Sequence, residues 1–286
     1  MRRESGYHGE FMPIYQVLVL GLLQGLTEFL PVSSSAHLAL APWLFGWKDQ
    51  GLSFDIALHV GTLAAVLIYF GRDWIQVIGQ AFGLKIGNDP FLAENPKLLW
   101  FLAAASLPVG IAGLLFKSKA EHALRSPYVI GVMLILVGIV LYMADRMSLQ
   151  RKHIGTINSF DAMVIGFAQA LAIVPGTSRS GITIAAGLFS DLDRASAARF
   201  SFLLSTPAII AATFKDFYDL FKNGGIPDDM VVPFAVGIAT SAISGIIVIA
   251  FFLQYLRRSS LKLFVYYRVA LGIVVLALAI TSGYKG

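Results

Sequence analysis

Four residues set in long apolar stretches have side chains that can do chemistry: Glu28, Ser34, His37 and Arg179. A carboxylate, a hydroxyl, an imidazole and a guanidinium together make a kit for phosphoryl transfer, with a proton or metal carrier, a nucleophile, an acid or base and a charge clamp. The planar donor fork of Arg179 suits phosphate oxygens, and an arginine at mid-bilayer is read as functional by default. Its plainer use is an ion pair with Glu28, and the two uses are compatible. Glu28 falls near the C-terminal end of its helix, where the dipole disfavours negative charge, so a cation must accompany it. That cation is either Arg179 or a hard divalent ion, Mg²⁺ or Ca²⁺, which oxygen ligands suit. Gln24, four residues earlier on the same face, has an amide oxygen to add to such an ion, although a polar i, i+4 pair inside a bundle is more often structural. His37 lies three residues past Ser34 on the same face and can act as general acid, general base or nucleophile, against the plainer role of a satisfied polar group. Asp55 and His59 form another i, i+4 pair and are assigned a structural role only. There is no cysteine, which excludes disulfides, thiolate metal sites and a cysteine nucleophile.

The elements that carry these residues belong to a membrane protein. The 286 residues are 57% hydrophobic and 14% charged, with mean hydropathy +0.73, where soluble domains carry about 25% charged residues. Six segments read as spans: 54–70, 98–116, 126–144, 200–214, 230–256 and 263–282, the last containing Arg268, which is expected to snorkel. Two apolar regions, 13–47 and 160–190, are interrupted at Pro31 and at Pro175-Gly-Thr-Ser-Arg-Ser-Gly181. The arms of the first are at most ~18 residues, or roughly 27 Å, short of the ~30 Å hydrocarbon core. Each region therefore reads as a re-entrant helical hairpin, with its irregular tip in protein or a wet cavity. Ser33 or Ser34 caps the arm after Pro31, and Thr177 or Ser178 the arm after Pro175. Two inward helix N-termini make an anion site that Gly176 lets the backbone approach. Ser33, Ser35, Gly176, Thr177 and Ser178 are thus the expected phosphate-binding residues.

The stretch from Gln24 to Ser34 aligns, with one gap, to Gln169–Ser178, and Phe54–His59 aligns without gaps to Phe200–Ser205, at an offset of about 145 residues. This spacing predicts a single membrane domain, 1–286, made of two repeats, 13–144 and 160–282, each a hairpin plus three spans; three being odd, the second copy is inverted. Arg72, Lys85, Lys97, Arg146, Arg151, Lys152, Arg194, Arg257, Arg258 and Lys262 fall on one side, against Lys48, Lys117, Lys119, Arg125, Lys215 and Lys222 and the terminal Arg2, Arg3 and Lys285 on the other. The positive-inside rule makes the first side cytoplasmic and opens the first hairpin outward. Charge dispersed at helix ends also accounts for the net +5 without nucleic acid, membrane lipids being the natural partner. Residues 1–11 are polar and the apolar stretch after them has no small-residue cleavage site, so they read as a retained N-terminus, or as an extension ahead of a start at Met12.

The strings QGLTEFLPVSSSAH, Gln24–His37, and PGTSRSG, Pro175–Gly181, resemble the two signature motifs of the bacterial undecaprenyl-diphosphate phosphatases of the BacA/UppP type. The resemblance covers nearly the whole chain. It implies an all-α enzyme of the bacterial inner membrane that hydrolyses undecaprenyl diphosphate to the monophosphate, confers bacitracin resistance, uses a divalent cation and opens to the outer side. By motif position it makes Glu28 and Gln24 the acidic-motif pair, has Ser34 and His37 act on the phosphate, and has Arg179 hold it. That family takes Glu or Gln at the place of Gln24, and the uncharged choice here leaves a metal to Glu28, shared with substrate oxygens. The acid-phosphatase type 2 lipid phosphatases place a histidine six residues after their arginine, where this chain has Ala185. The rival reading is a transporter or flippase for a phosphorylated lipid or other anion, since inverted repeats with broken helices are a transporter architecture. It gives no reason for Ser34, His37 and Glu28 to cluster, and a structural scaffold explains none of the buried polar groups. A homodimer stays open.

Overall fold

The boundaries of the helices follow from proline, glycine and serine. The structure, a computed structural model, describes residues 12–122, 126–222 and 224–282, so the expectation for residues 1–11 lies outside the described residues. Helix α1, Ile14–Phe29, stops where Pro31 forces the preceding Leu30 into extended backbone (ψ 144°). Helix α2, Ser34–Phe45, ends on Gly46 in the left-handed region, φ 65°. Helix α3, Leu52–Tyr69, runs into α4, Gly71–Ala81, at a bend of 69°. After the short α5, Pro90–Ala93, come α6, Leu98–His122, and α7, Pro127–Met147. Helix α8, Ser159–Ala170, is drawn out by a single 3₁₀ turn, Leu171–Ile173, and is followed across a break by α9, Arg179–Phe189. Helices α10, Arg194–Lys222, α11, Val231–Leu256, and α12, Lys262–Thr281, complete the chain. Among the described residues no strand occurs, only an isolated bridge between Lys152 and Leu192.

Five segments are long and apolar enough to cross a bilayer: Leu98–Phe116, Pro127–Met147, Arg194–Lys215, Asp228–Leu256 and Lys262–Thr281; the bent pair α3–α4 is a sixth if counted as one span. Large apolar side chains point outward along them, Leu114 at 82% and Phe214 at 75% exposure among them. Such a surface would aggregate in water and suits lipid. The chain is thus an all-helical integral membrane protein. Helices α1 and α8, 16 and 12 residues long, are shorter than a span.

Small residues bring the helices close. Helix α1 lies on α11, which also packs on α3, while α8 lies on α6 and α12 on α7. A Cβ on Gly25 of α1 would collide with Ser244 Oγ and stand 2.8 Å from the Ser241 carbonyl of α11, so only glycine permits that approach. Beyond the apolar belt, Arg199 bridges Asp73 at 2.6 Å and Asp89 at 2.9 Å, Lys152 meets Asp161 at 2.9 Å, and Arg194 meets Asp145 at 2.5 Å.

Arg268 departs from expectation. It does not snorkel but is fully buried, because backbone carbonyls replace water around its guanidinium. It donates to Leu134 O (3.2 Å) and Met133 O (3.3 Å) of α7, to Pro31 O (3.0 Å) at the first break, and to Gly176 O (2.9 Å) and Thr177 O (3.0 Å) at the second. One side chain of α12 thereby ties both breaks to α7.

Candidate active site

The two breaks are built alike. Ser33 (φ 77°) caps α2, its Oγ accepting from Ala36 N–H at 3.4 Å, and Ser178 (φ 68°) caps α9 by accepting from Gly181 N–H at 3.1 Å. Ser33 and Ser35 hydroxyls lie 3.2 Å apart, as do those of Ser178 and Ser180. A non-glycine residue at positive φ is uncommon and marks a conformation held by its surroundings. The serine side chains satisfy the first amides of the helices that follow.

Between the breaks lies a cavity of about 360 Å³ bordered by Glu28, Ser33, Ser34, Ser35, Ser178 and Arg179 on the polar side, with Asp55 and His59 from α3. Glu28 is its hub. The carboxylate forms an ion pair with Arg179 through Oε1, while Oε2 accepts from Ser34 Oγ at 2.5 Å and from Gln24 Nε2 at 3.0 Å. Arg179 Nη1 also donates to Ser205 O at 3.4 Å. Both residues are largely buried, with 5% and 18% of their side-chain surfaces exposed, so their charges act in a poorly screened medium.

The remaining expected residues divide between cavity and support. Gln24 is fully buried behind Glu28, outside the cavity wall. Thr177 is fully buried as well, and the close approach that Gly176 (φ 90°) permits is to α7, where a Cβ would stand 2.7 Å from Ile130 O. His37 lies off the cavity. Its Nδ1 donates to Ser33 O at 2.7 Å, which leaves Nε2 to accept from Tyr267 OH at 2.7 Å.

Two residues that the sequence assigns only a structural role border the cavity instead. His59 Nδ1 is 2.7 Å from Asp55 O, and because a carbonyl only accepts, Nδ1 carries the hydrogen. Nε2 faces Glu28 Oε2 at 3.8 Å. The alignment of His59 with Ser205, whose carbonyl holds Arg179, was the available signal. Arg268 had no signal beyond its charge.

A divalent cation finds few ligands here. Among the described residues no group of three or more His, Asp or Glu side chains suits a metal. Both Glu28 oxygens are engaged, and Gln24 turns its amine, not its oxygen, to the carboxylate. This donor set does not fit a cation held by the protein alone.

Fold and site together define a multi-pass helical membrane protein whose polar centre lies where two short helix pairs break. The chain belongs to the bacitracin resistance protein BacA family, whose model matches residues 17–274. It is 46% identical to the undecaprenyl-diphosphatase of Pelotomaculum thermopropionicum over 94% of this chain and 97% of that protein. It is likewise 46% identical to that of Moorella thermoacetica, over 93% and 98%, and 48% identical to that of Thermodesulfovibrio yellowstonii, over 93% and 97%.

Proposed function

We propose that this protein hydrolyses undecaprenyl diphosphate to undecaprenyl phosphate and inorganic phosphate, returning a lipid carrier to cell-wall synthesis in the bacterial inner membrane. The observation that carries the chemistry is the Ser34 hydroxyl donating to a carboxylate that is itself paired with Arg179. Transport of an anion needs Arg179 but has no task for that hydrogen bond.

In this reading Arg179 holds the terminal phosphoryl group. Ser34 Oγ attacks its phosphorus as Glu28 Oε2 takes the hydroxyl proton, and the bond to the bridging oxygen breaks, releasing undecaprenyl phosphate. Water then attacks the phosphoserine while His59 Nε2 accepts a proton from it. The P–Oγ bond breaks, Ser34 recovers its proton from Glu28, and His59 passes its own to solvent. His37 is assigned to positioning, since it braces the Ser33 turn that presents Ser34. A divalent cation enters as the counterion of the substrate diphosphate.

We further infer that 13–47 and 160–190 are re-entrant hairpins of an inverted repeat opening to the outer side. The like backbone of Ser33 and Ser178, the paired serines, and the exchange by which α1 packs on α11 and α8 on α6 support this. The lysine and arginine distribution supports the orientation. Release of inorganic phosphate from undecaprenyl diphosphate by detergent-purified protein tests the function. No release with either Mg²⁺ or Ca²⁺ would sink it.

A further inference from the structure

A second cavity, of about 260 Å³, shares no residue with the first and is lined by Tyr142, Asp145, Arg146, Arg194, Ser260 and Lys262. Three cations surround one carboxylate, and that carboxylate is already spent. Asp145 Oδ1 accepts from Arg194 Nε at 2.5 Å and Oδ2 from the Leu261 amide at 3.2 Å. Arg146, among the described residues, donates only to the Tyr142 hydroxyl, at 3.2 Å. Among the described residues, neither Lys262 nor the Ser260 hydroxyl has an acceptor. The lining thus holds a net formal charge of +2, from Arg146, Arg194 and Lys262 against Asp145, and its one carboxylate is already engaged.

Its level in the membrane is fixed by the helices it joins. The spans Pro127–Met147, Arg194–Lys215 and Lys262–Thr281 all terminate at this cavity, one by its last turn and two by their first. Apolar side chains beside it on the same helix ends are open to the outside: Met143 and Met147 on α7, Leu263 and Tyr266 on α12. A polar, cationic hollow at the end of the hydrocarbon belt, with apolar surface running away from it, matches an amphiphile whose head is an anionic phosphoryl group. A carboxylate head would use fewer of the donors than the oxygens of a phosphodiester.

We propose that this cavity binds the phosphoryl headgroup of an anionic phospholipid, at a site separate from the one that carries Glu28 and Arg179. The acyl chains lie along Met143, Met147, Leu263 and Tyr266, and the headgroup supplies the acceptor that Lys262 and Ser260 lack and a charged one for Arg146, which meets only a neutral hydroxyl among the described residues.

The test is native mass spectrometry of delipidated, detergent-purified protein titrated with phosphatidylglycerol, with phosphatidylcholine, and with phosphatidylglycerol in the presence of millimolar inorganic phosphate. We expect one phosphatidylglycerol to bind in preference to phosphatidylcholine and to resist inorganic phosphate. The double variant Arg146→Gln, Lys262→Gln, whose side chains are exposed and outside the catalytic cavity, should bind it at least about tenfold more weakly, as removing two cations near a headgroup does, with unchanged phosphate release and thermal midpoint. Equal binding of the two lipids, or undiminished binding by the variant, would overturn the proposal. Displacement by inorganic phosphate would also overturn it and give the site to the free ion. The readout is binding, so it stands apart from whether the protein is a phosphatase.

Discussion

Ser34 Oγ donates to Glu28 Oε2 across 2.5 Å, although a proline and a helix break separate the two residues in the chain. The hydroxyl is thereby aimed at the carboxylate that takes its proton in the proposed reaction, and Arg179 pairs with the opposite oxygen. Glu28→Gln and Arg179→Ala should each lower kcat for prenyl diphosphate hydrolysis by at least ~10²-fold, the usual loss when a preorganised charge is removed. Steady-state phosphate release measures this, and near-normal turnover in either variant would contradict the assigned roles.

Arg268 is the second relationship that holds the site, because its guanidinium reaches Pro31 O and Gly176 O at once. Replacing it by methionine leaves buried carbonyls without donors at both breaks. The Arg268→Met protein should lose on the order of 3 kcal/mol or more of stability. Thermal unfolding in detergent reads this loss, and a midpoint equal to wild type would show that the five hydrogen bonds carry no weight.

Outside the membrane, Asp89 couples stability to pH. Burial raises its carboxyl pKa, but the Leu92 amide, Arg199 and the Phe91 amide outweigh that, so the net shift is downward. A depressed folded-state pKa contributes stability that is fully present above the unfolded value of about 3.9 and is lost as pH falls through the folded value. Asp89→Asn should therefore melt below wild type at pH 7, and the gap should narrow as pH drops below about 4. A gap independent of pH would show that the ionised form of Asp89 is not what Arg199 and the amides stabilise.

If the cation arrives with the diphosphate, the substrate-free protein has no stoichiometric site for it. Calorimetric titration with Mg²⁺ should give no saturable binding, since both Glu28 oxygens are in use and, among the described residues, no group of three or more His, Asp or Glu side chains suits a metal. A one-to-one isotherm abolished by Glu28→Gln would restore a resident metal.

The spans were legible because charge is scarce there. Leu98–Phe116 has no ionisable residue, and its helix is where the hydropathy pattern puts it. Helix α4 was not, because it mixes Arg72, Asp73 and Gln76 with apolar residues and bends 69° away from α3. Glu28, Ser34 and Arg179 stood out as polar groups in apolar runs, and the structure brings all three to one cavity. The role of Arg268 was hidden, since a lone arginine in a span looks the same whether it snorkels or is held by carbonyls from three parts of the chain. His59 was hidden for a related reason: its neighbour Glu28 comes from another helix, and a pair seen only with Asp55 suggested local support.

In the proposed reaction Ser34 forms the covalent intermediate and His59 helps water remove it. The most direct measurement is an acid-quenched single turnover with substrate labelled in its terminal phosphate, followed by peptide mapping of wild type and His59→Gln. Label is expected on the peptide containing Ser34, accumulating more in His59→Gln because the second step is slowed. Turnover in both proteins with no label on Ser34, or with the label on His37, would contradict it.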